Sequence, residues 1–360
     1  MTSPLKLHII GLREKLKGGR MGKIRVAING FGRIGRNAFK IAQERNDIEV
    51  VAVNDLTSAE DLAYLLKYDS NYGTYAGEIK VEKNNLIING NEIKILKQAD
   101  AKKLPWKEMG VEVVLESTGK FTTFEKAKDH LEAGAKRVVI SAPSESPQID
   151  TLMIGVNDDK IESSSLVVSN ASCTANSVAA VLSILDEEIG VKKSMLTSIH
   201  SYTSDQPLQD APSDNLRYSR AGAKNLVPTE TGAISATAKA IPYFKNRLEG
   251  LAVRVPVSNV SISDLTILFE RKVTVTELND LFKKMADEPF YRGIIGVTDE
   301  PLVSTDFIGN SYSATIDLSL TKVVDGDLAK IMIWYDNEWG YSNRLVELVA
   351  DIGRDLHRRG

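Results

Sequence analysis

The sequence predicts an α/β protein of two domains: one built on a parallel sheet, then an α+β domain with a mostly antiparallel sheet. Three observations carry this. The amino-terminal half alternates short, continuously apolar runs with helical stretches, as strands covered on both faces do. After about residue 190 the runs lengthen and alternate apolar with polar, as in "KSMLTSIHSYT" and "AKIMIWYD", which suits a sheet with one wetter face. A chain of 360 residues suffices for two domains of ordinary size.

The elements follow in order. "KIRVAI" (Lys23–Ile28) reads as a buried strand, "NGFGRIGR" as a turn into a helix with Phe39, Ile41 and Ala42 on its apolar positions, and "IEVVAV" (Ile48–Val53) as the next strand, closed by Asn54-Asp55. "KNNLIINGNEIKIL" reads as a hairpin turning at Asn89-Gly90-Asn91. Strands are predicted at Val111–Leu115, Arg137–Ile140 and Leu166–Ser169, with a surface helix over Phe124–Ala133 that carries His130. Val178, Val181, Leu182 and Leu185 share one face of a helix. "SISDLTILFERKV" and "SATIDLSLTKV" complete the alternating strands, and Ser204 to Val227 is a long irregular segment. The chain closes on an amphipathic helix with Leu345, Leu348, Val349 and Ile352 on one face. Residues 1–20 read as an extension outside the core, with Met21 as an alternative start.

Composition excludes several classes of function. A formal net charge of −3 gives no general pull toward nucleic acid or anionic membrane, and no apolar run is long enough to span a bilayer. The single cysteine rules out an intrachain disulfide framework, and four scattered histidines offer no metal-ligand cluster. A cytoplasmic setting fits this usage, with neither a membrane nor a nucleic acid as partner.

Two motifs carry chemistry. Gly30-x-Gly32-x-x-Gly35 directly follows a strand and opens a helix. Its glycines serve a tight turn, backbone approach to a pyrophosphate and close helix–strand packing. Asp55 ends the next strand, placed to accept from a ribose hydroxyl and to repel a 2′-phosphate, which favours NAD over NADP. The second motif is "SNASCTANSVAA", with Cys173 at a helix start capped by Asn170 or Ser172. There the helix dipole and free N–H groups are expected to lower the thiol pKa. His200, ending "MLTSIH", is the candidate proton acceptor. On position alone, a structural histidine and a buried structural cysteine remain open alternatives. A Cys–His pair beside a nicotinamide would suit aldehyde oxidation through a thiohemiacetal and a thioester.

In order and spacing, "INGFGRIGR", "VAVND", "LLKYDSNYGTY", "ESTGKF", "ISAPS", "NASCTAN", "HSYTSDQ", "VPTETGA", "VRVPVSNVSISDL" and "WYDNEWGYSNR" resemble the phosphorylating glyceraldehyde-3-phosphate dehydrogenases of bacteria and organelles. The resemblance implies a Rossmann-type NAD-binding domain (21–172 plus 339–360) and a catalytic domain (173–338) that includes the 204–227 loop. It implies Cys173 as nucleophile and His200 as acid/base. Arg33, Ile34, Asp55 and Gln98 would lie on the adenosine side of NAD, Thr118 and Ser141 along it, and Asn337 and Tyr341 at the nicotinamide. Thr203 and Arg254 would take the substrate's C3 phosphate; Ser172, Thr174, Thr231 and Gly232 would take the attacking inorganic phosphate. The implied reaction is oxidation of D-glyceraldehyde 3-phosphate to 1,3-bisphosphoglycerate by a homotetramer.

Two other readings compete: an erythrose-4-phosphate dehydrogenase, and a catalytically weak nucleotide-binding interaction protein. The chain departs from the family pattern at Ala175, Ser235, Gln98 and Tyr218, each costing polarity or charge near the phosphates or cofactor. Ala211, where many NAD-specific members carry leucine, leaves room for some NADP tolerance.

Overall fold

The computed structural model describes residues 22–359, so the readings of residues 1–20 and of Met21 as a start lie outside the described residues. The chain forms two compact units. The first runs through Ile154 and takes in Asp158–Ala171 and the chain from Ser342; the second is Gly155–Asn157 with Ser172–Tyr341.

The first unit contains β1 (Ile24–Asn29), α1 (Arg33–Gln43), β2 (Ile48–Asn54), α2 (Ala59–Lys67), a two-strand ribbon of β3 (Tyr68–Asp69) and β4 (Gly73–Thr74), β5 (Ile79–Glu82), β6 (Asn85–Ile88), β7 (Asn91–Leu96), β8 (Val113–Glu116), α3 (Phe124–Glu132), β9 (Arg137–Ile140), β10 (Asp150–Thr151) and β11 (Val167–Ser169). Nine of these strands form one sheet in the order β10-β11-β9-β8-β1-β2-β7-β6-β5. The strands from β10 to β7 are parallel; β6 joins β7 antiparallel as the expected hairpin, and β5 adds to β6 antiparallel. β1 and β2 are apolar and buried on both faces, as parallel strands covered by helices must be.

The glycine turn is forced by close packing. Gly30 has φ +91°, and a Cβ there would stand 2.8 Å from the Thr118 nitrogen and the Ser117 carbonyl carbon. A Cβ on Gly35 would stand 2.1 Å from the Gly30 carbonyl oxygen, so only glycine lets α1 start this close to its own turn.

The second unit holds α4 (Cys173–Glu188), β12 (Val191–Ser201), β13 (Val227–Thr229), α5 (Ala233–Ala240), β14 (Leu248–Val255), β15 (Ser261–Phe269), α6 (Val275–Asp287), β16 (Ile295–Thr298), β17 (Ala314–Asp317), β18 (Lys322–Val324) and β19 (Leu328–Tyr335). Its sheet runs β13-β14-β12-β15-β19-β17-β16, with β18 on β19. Only β12–β14 and β16–β17 pair parallel. The β12–β14 crossover carries α5, as a parallel connection requires. The register sets His200 opposite Arg254. The last helix, α7 (Trp339–Arg359), buries Leu345, Leu348, Val349 and Ile352.

Three readings are corrected. The strand expected at Val111–Leu115 is β8, starting at Val113. "SATIDLSLTKV" is not one strand: the Asp317 carboxylate accepts from the Ser319 N–H and Oγ, turning the chain into a short 3₁₀ segment between β17 and β18. His130 does not face solvent: it is 0% exposed, because Trp106 and Glu116 bond its ring.

Gly35→Ala tests the turn. Overpacking against the Gly30 carbonyl should cost about 1–3 kcal/mol, read as a lower urea midpoint together with weaker NAD binding by calorimetry.

Candidate active site

Several of the residues expected to hold a nucleotide gather at the carboxyl end of the parallel strands in the first unit. A cavity of about 390 Å³ opens there, lined among others by Gly30, Gly32, Asp55, Gln98 and Thr118. Gly32 has nothing within 4 Å of where a Cβ would stand, so its backbone is open to a ligand, while Gly30 and Gly35 are closed by protein. The Asp55 carboxylate accepts from the Phe31 N–H at 2.8 Å and the Thr57 N–H at 3.0 Å. These bonds hold its pKa below the usual carboxylate value against the opposing effect of burial, so it stays an anionic acceptor beside the turn. Volume, an open glycine backbone at a helix start and a fixed carboxylate together fit a dinucleotide.

The other expected cofactor residues divide. Arg33 opens α1, pairs with Asp69 at 2.8 Å and lies over the Tyr72 ring; Ile34 follows it in the first turn. Gln98 lines the cavity, but its side-chain oxygen is taken by the Asp100 N–H at 2.9 Å. Thr118 lines it too, its hydroxyl donating to Glu116. Ser141 follows β9, its N–H on the Glu116 carbonyl at 2.8 Å, and is not among the cavity-lining residues.

The reactive group lies in the second unit. Ala171 takes φ +56°, a left-handed turn just before Ser172. Ser172 caps α4, its Oγ accepting the Ala175 N–H at 3.1 Å, and Cys173 is the first helical residue. The Cys173 Sγ lies 3.4 Å from His200 Nε2. His200 Nδ1 lies 2.7 Å from the Ser201 carbonyl oxygen and 2.8 Å from Arg254 Nη1. Those neighbours call for opposite tautomers. A proton on Nδ1 satisfies the carbonyl and turns the Nε2 lone pair toward sulfur; a bond from Arg254 needs Nδ1 bare and puts the proton on Nε2.

Electrostatics follow from burial and Arg254. Burial, then the guanidinium charge, depress the His200 pKa to about 3. Burial pushes the Cys173 thiol above its ordinary value, and Arg254 and Thr174 offset this only in part. The expectation that the helix start lowers the thiol pKa is therefore corrected: desolvation outweighs the N-terminal field. Both shifts favour the neutral forms of Cys173 and His200. Arg254 Nε is buried without a hydrogen-bond partner, a donor that an anion would satisfy.

The remaining residues are partly assembled. Thr174 Oγ1 lies 2.9 Å from the Tyr335 hydroxyl, which also meets Ser198 Oγ at 2.9 Å. The Asn337 side-chain oxygen accepts from Ser201 Oγ and Ser261 Oγ, each at 3.0 Å, leaving its NH₂ as the donor for a carboxamide. Tyr341 is buried in the first turn of α7. Thr203 lies just beyond β12, its hydroxyl donating to Asp205. Thr231 and Gly232 stand at the start of α5, which packs on α4; Thr231 Oγ1 accepts the Ala233 N–H at 3.3 Å. No described hydrogen bond joins Thr203, Thr231 or Gly232 to the Cys173–His200 pair.

Sequence reasoning assigned no role to Tyr335, Ser201 and Ser261, although each lies in a quoted motif, "WYDNEWGYSNR", "HSYTSDQ" and "VRVPVSNVSISDL". It also missed Asp336, which accepts from Asn259, Gly309, Glu338 and Trp339 and so fixes the chain on either side of Asn337.

Two family models match the chain: the NAD binding domain of glyceraldehyde 3-phosphate dehydrogenase over residues 24–124, and the C-terminal domain of the same enzyme over residues 172–337. Among curated relatives, glyceraldehyde-3-phosphate dehydrogenase of Geobacillus stearothermophilus is 49% identical over 330 residues, 91% of this chain and 98% of its own length. Glyceraldehyde-3-phosphate dehydrogenase 1 of Bacillus cereus is 48% identical over 327 residues, 91% and 97% of the two chains. The enzyme of Streptomyces coelicolor is 47% identical over 335 residues, covering 92% and 99%.

Asp55→Ala should weaken NAD binding about tenfold, the scale of hydrogen bonds to a charged acceptor, and relieve rejection of NADP. The check is the ratio of the two dissociation constants by calorimetry.

Proposed function

The chain belongs to the glyceraldehyde-3-phosphate dehydrogenase family, and we propose that it oxidises D-glyceraldehyde 3-phosphate to 1,3-bisphosphoglycerate with NAD and inorganic phosphate. One observation carries the assignment of residues: the 3.4 Å Cys173–His200 contact beside Arg254, whose buried Nε lacks a partner. NAD supplies the hydride acceptor. Gly30, Gly32, Gly35, Arg33, Ile34 and Asp55 would hold its adenosine and pyrophosphate, with Gln98, Thr118 and Ser141 along it; Asn337 and Tyr341 would orient the nicotinamide.

The chemistry then follows from the residues. Arg254 and Thr203 take the C3 phosphate. An anion on Arg254 compensates the charge that depresses His200 and draws the guanidinium from Nδ1. His200 then carries its proton on Nδ1, bonded to the Ser201 carbonyl, and Nε2 accepts the thiol proton. The Cys173 thiolate adds to the aldehyde carbon, and His200 returns the proton to the oxyanion. As hydride leaves C1, His200 removes the hydroxyl proton and a thioester remains on Cys173. Inorganic phosphate, oriented by Ser172, Thr174, Thr231 and Gly232, attacks the acyl carbon, and the thiolate departs.

A homotetramer in the cytoplasm belongs to the same proposal. Leu208, Leu216 and Leu226, in the segment between β12 and β13, are 80%, 85% and 69% exposed, which supports association through that segment. No described helix is long and apolar enough to cross a membrane.

Cys173→Ser should abolish NADH formation while NAD still binds by calorimetry; retained turnover removes the nucleophile assignment. Arg254→Leu should lower kcat/KM for the phosphorylated aldehyde about 10–100-fold, the worth of a charge-assisted bond, and change turnover of unphosphorylated glyceraldehyde far less. NADH formation with no need for phosphate, or a preference for erythrose 4-phosphate, would overturn the substrate assignment.

A further inference from the structure

A chain of buried hydrogen bonds runs along the carboxyl edge of the parallel sheet, beneath the nucleotide cavity. Neighbouring strand ends contribute one polar side chain each: Asn54 from β2, Asn29 from β1 and Glu116 from β8. Asn54 bonds the Gln98 backbone twice, its Oδ1 accepting the N–H at 2.9 Å and its Nδ2 donating to the carbonyl at 2.8 Å. Asn54 Nδ2 also donates to Asn29 Oδ1 at 2.7 Å, and Asn29 Nδ2 donates to Glu116 Oε2. From the other side the Trp106 indole N–H meets His130 Nδ1 at 3.0 Å, and His130 Nε2 meets Glu116 Oε2 at 3.1 Å. Glu116 Oε1 accepts from the Thr118 N–H at 2.7 Å and from its hydroxyl.

Donor and acceptor chemistry fixes the links to Trp106, Glu116 and Gln98, while Asn29 Nδ2 and His130 Nε2, 3.4 Å apart, both turn to the same Glu116 oxygen. An indole N–H only donates, so His130 Nδ1 is bare and Nε2 carries the proton. An ionised carboxylate only accepts, so Asn29 must offer its NH₂ to Glu116 and its oxygen to Asn54. Asn54 is then turned with its own oxygen on the Gln98 N–H. Glu116 is the acceptor on which both arms converge, and its charge orients two amides and one threonine. Those three residues line the cavity, whereas Glu116, His130 and Trp106 do not. Trp106 and His130 are 0% exposed and Glu116 1%, so each group has only protein to bond.

We propose that Glu116, His130 and Trp106 are positioning residues of the NAD site: they set the polarity of the cavity floor through Asn29, Asn54 and Thr118 without touching the cofactor. A buried carboxylate and imidazole are costly to retain where packing alone is needed, whereas a fully connected polar network holds one arrangement of its members. Thr118 adds a mechanical link. Its backbone nitrogen lies 2.8 Å from where a Cβ on Gly30 would stand, so the Ser117–Thr118 peptide packs directly on the glycine turn.

The proposal rests on NAD as the cofactor, and calorimetry of NAD with the unaltered protein tests that separately: no binding there overturns the cofactor reading and this proposal with it, whereas binding there that the variants leave unchanged overturns this proposal alone. Four variants then test the network. Glu116→Gln keeps volume but places an NH₂ among donors; NAD binding should weaken about tenfold, the scale of one charge-assisted bond, with the loss in KM for NAD rather than in kcat. His130→Leu should weaken binding to a similar degree, and His130→Gln, able to accept from the indole and donate to the carboxylate, should restore it to within about twofold. Iodoacetamide alkylation of Cys173 at the parental rate shows that each variant has folded. Trp106→Phe, the mildest change, removes one donor and should weaken binding about two- to threefold if His130→Leu does not fold. NAD affinity within twofold of the parent in Glu116→Gln, or equal loss in the two His130 variants, overturns the proposal: the network would then be packing alone.

Discussion

The parallel register of β12 against β14 is the constraint on which the catalytic group depends. It seats His200 opposite Arg254 at the carboxyl ends of two neighbouring strands, in a sheet that is otherwise almost wholly antiparallel. A slip of one residue would turn either side chain to the other face. The 2.8 Å contact between guanidinium and imidazole would vanish with it, as would the 3.4 Å reach from imidazole to Cys173. The register also explains why a depressed imidazole is retained. Arginine beside histidine makes a poor resting base; in the proposed mechanism it becomes useful when an anion takes the arginine, which would couple binding and proton acceptance through one shared nitrogen.

Much of this was legible from residues. Glycine spacing after an apolar strand pointed to the turn because its packing demands are local: Gly35 answers to the Gly30 carbonyl and Gly30 to the adjacent strand end, while Gly32 stays open. Cys173 was legible for the same reason, since Ser172 and the apolar face of α4 define a helix start within one turn. The hairpin and the terminal helix followed from periodicity.

What was not legible depends on distant partners. His130 sits in a segment of charged residues that reads as a solvated helix, and its burial comes from Trp106 and Glu116, on separate elements. Register between strands is likewise silent in alternation, which gives the face of a strand but not its neighbour. Asp317 ends β17 through a bond to a backbone two residues on, which its apolar surroundings disguise. The thiol was misjudged because a helix start is visible in sequence while the depth of its burial is not.

Thr174 shows how an engaged hydroxyl keeps a functional proton. Its oxygen meets the Tyr335 hydroxyl at 2.9 Å, which also meets Ser198. Burial pushes the Tyr335 pKa up to about 12, so the phenol keeps its proton and must donate it to one of two oxygens. When it donates to Thr174, that threonine accepts with a lone pair and its own hydrogen stays available to an anion. When it donates to Ser198, Thr174 can instead satisfy the phenol oxygen and withdraws from the site. Under the proposed phosphate role of Thr174, Ser198 would therefore compete with an incoming phosphate for the same hydrogen-bond polarity. Ala175 adds no hydroxyl to change the balance, its N–H being already held by the Ser172 cap. In the proposed mechanism the phosphate-binding strength of this segment would thus depend on a serine buried in β12, two residues before His200 on the same strand.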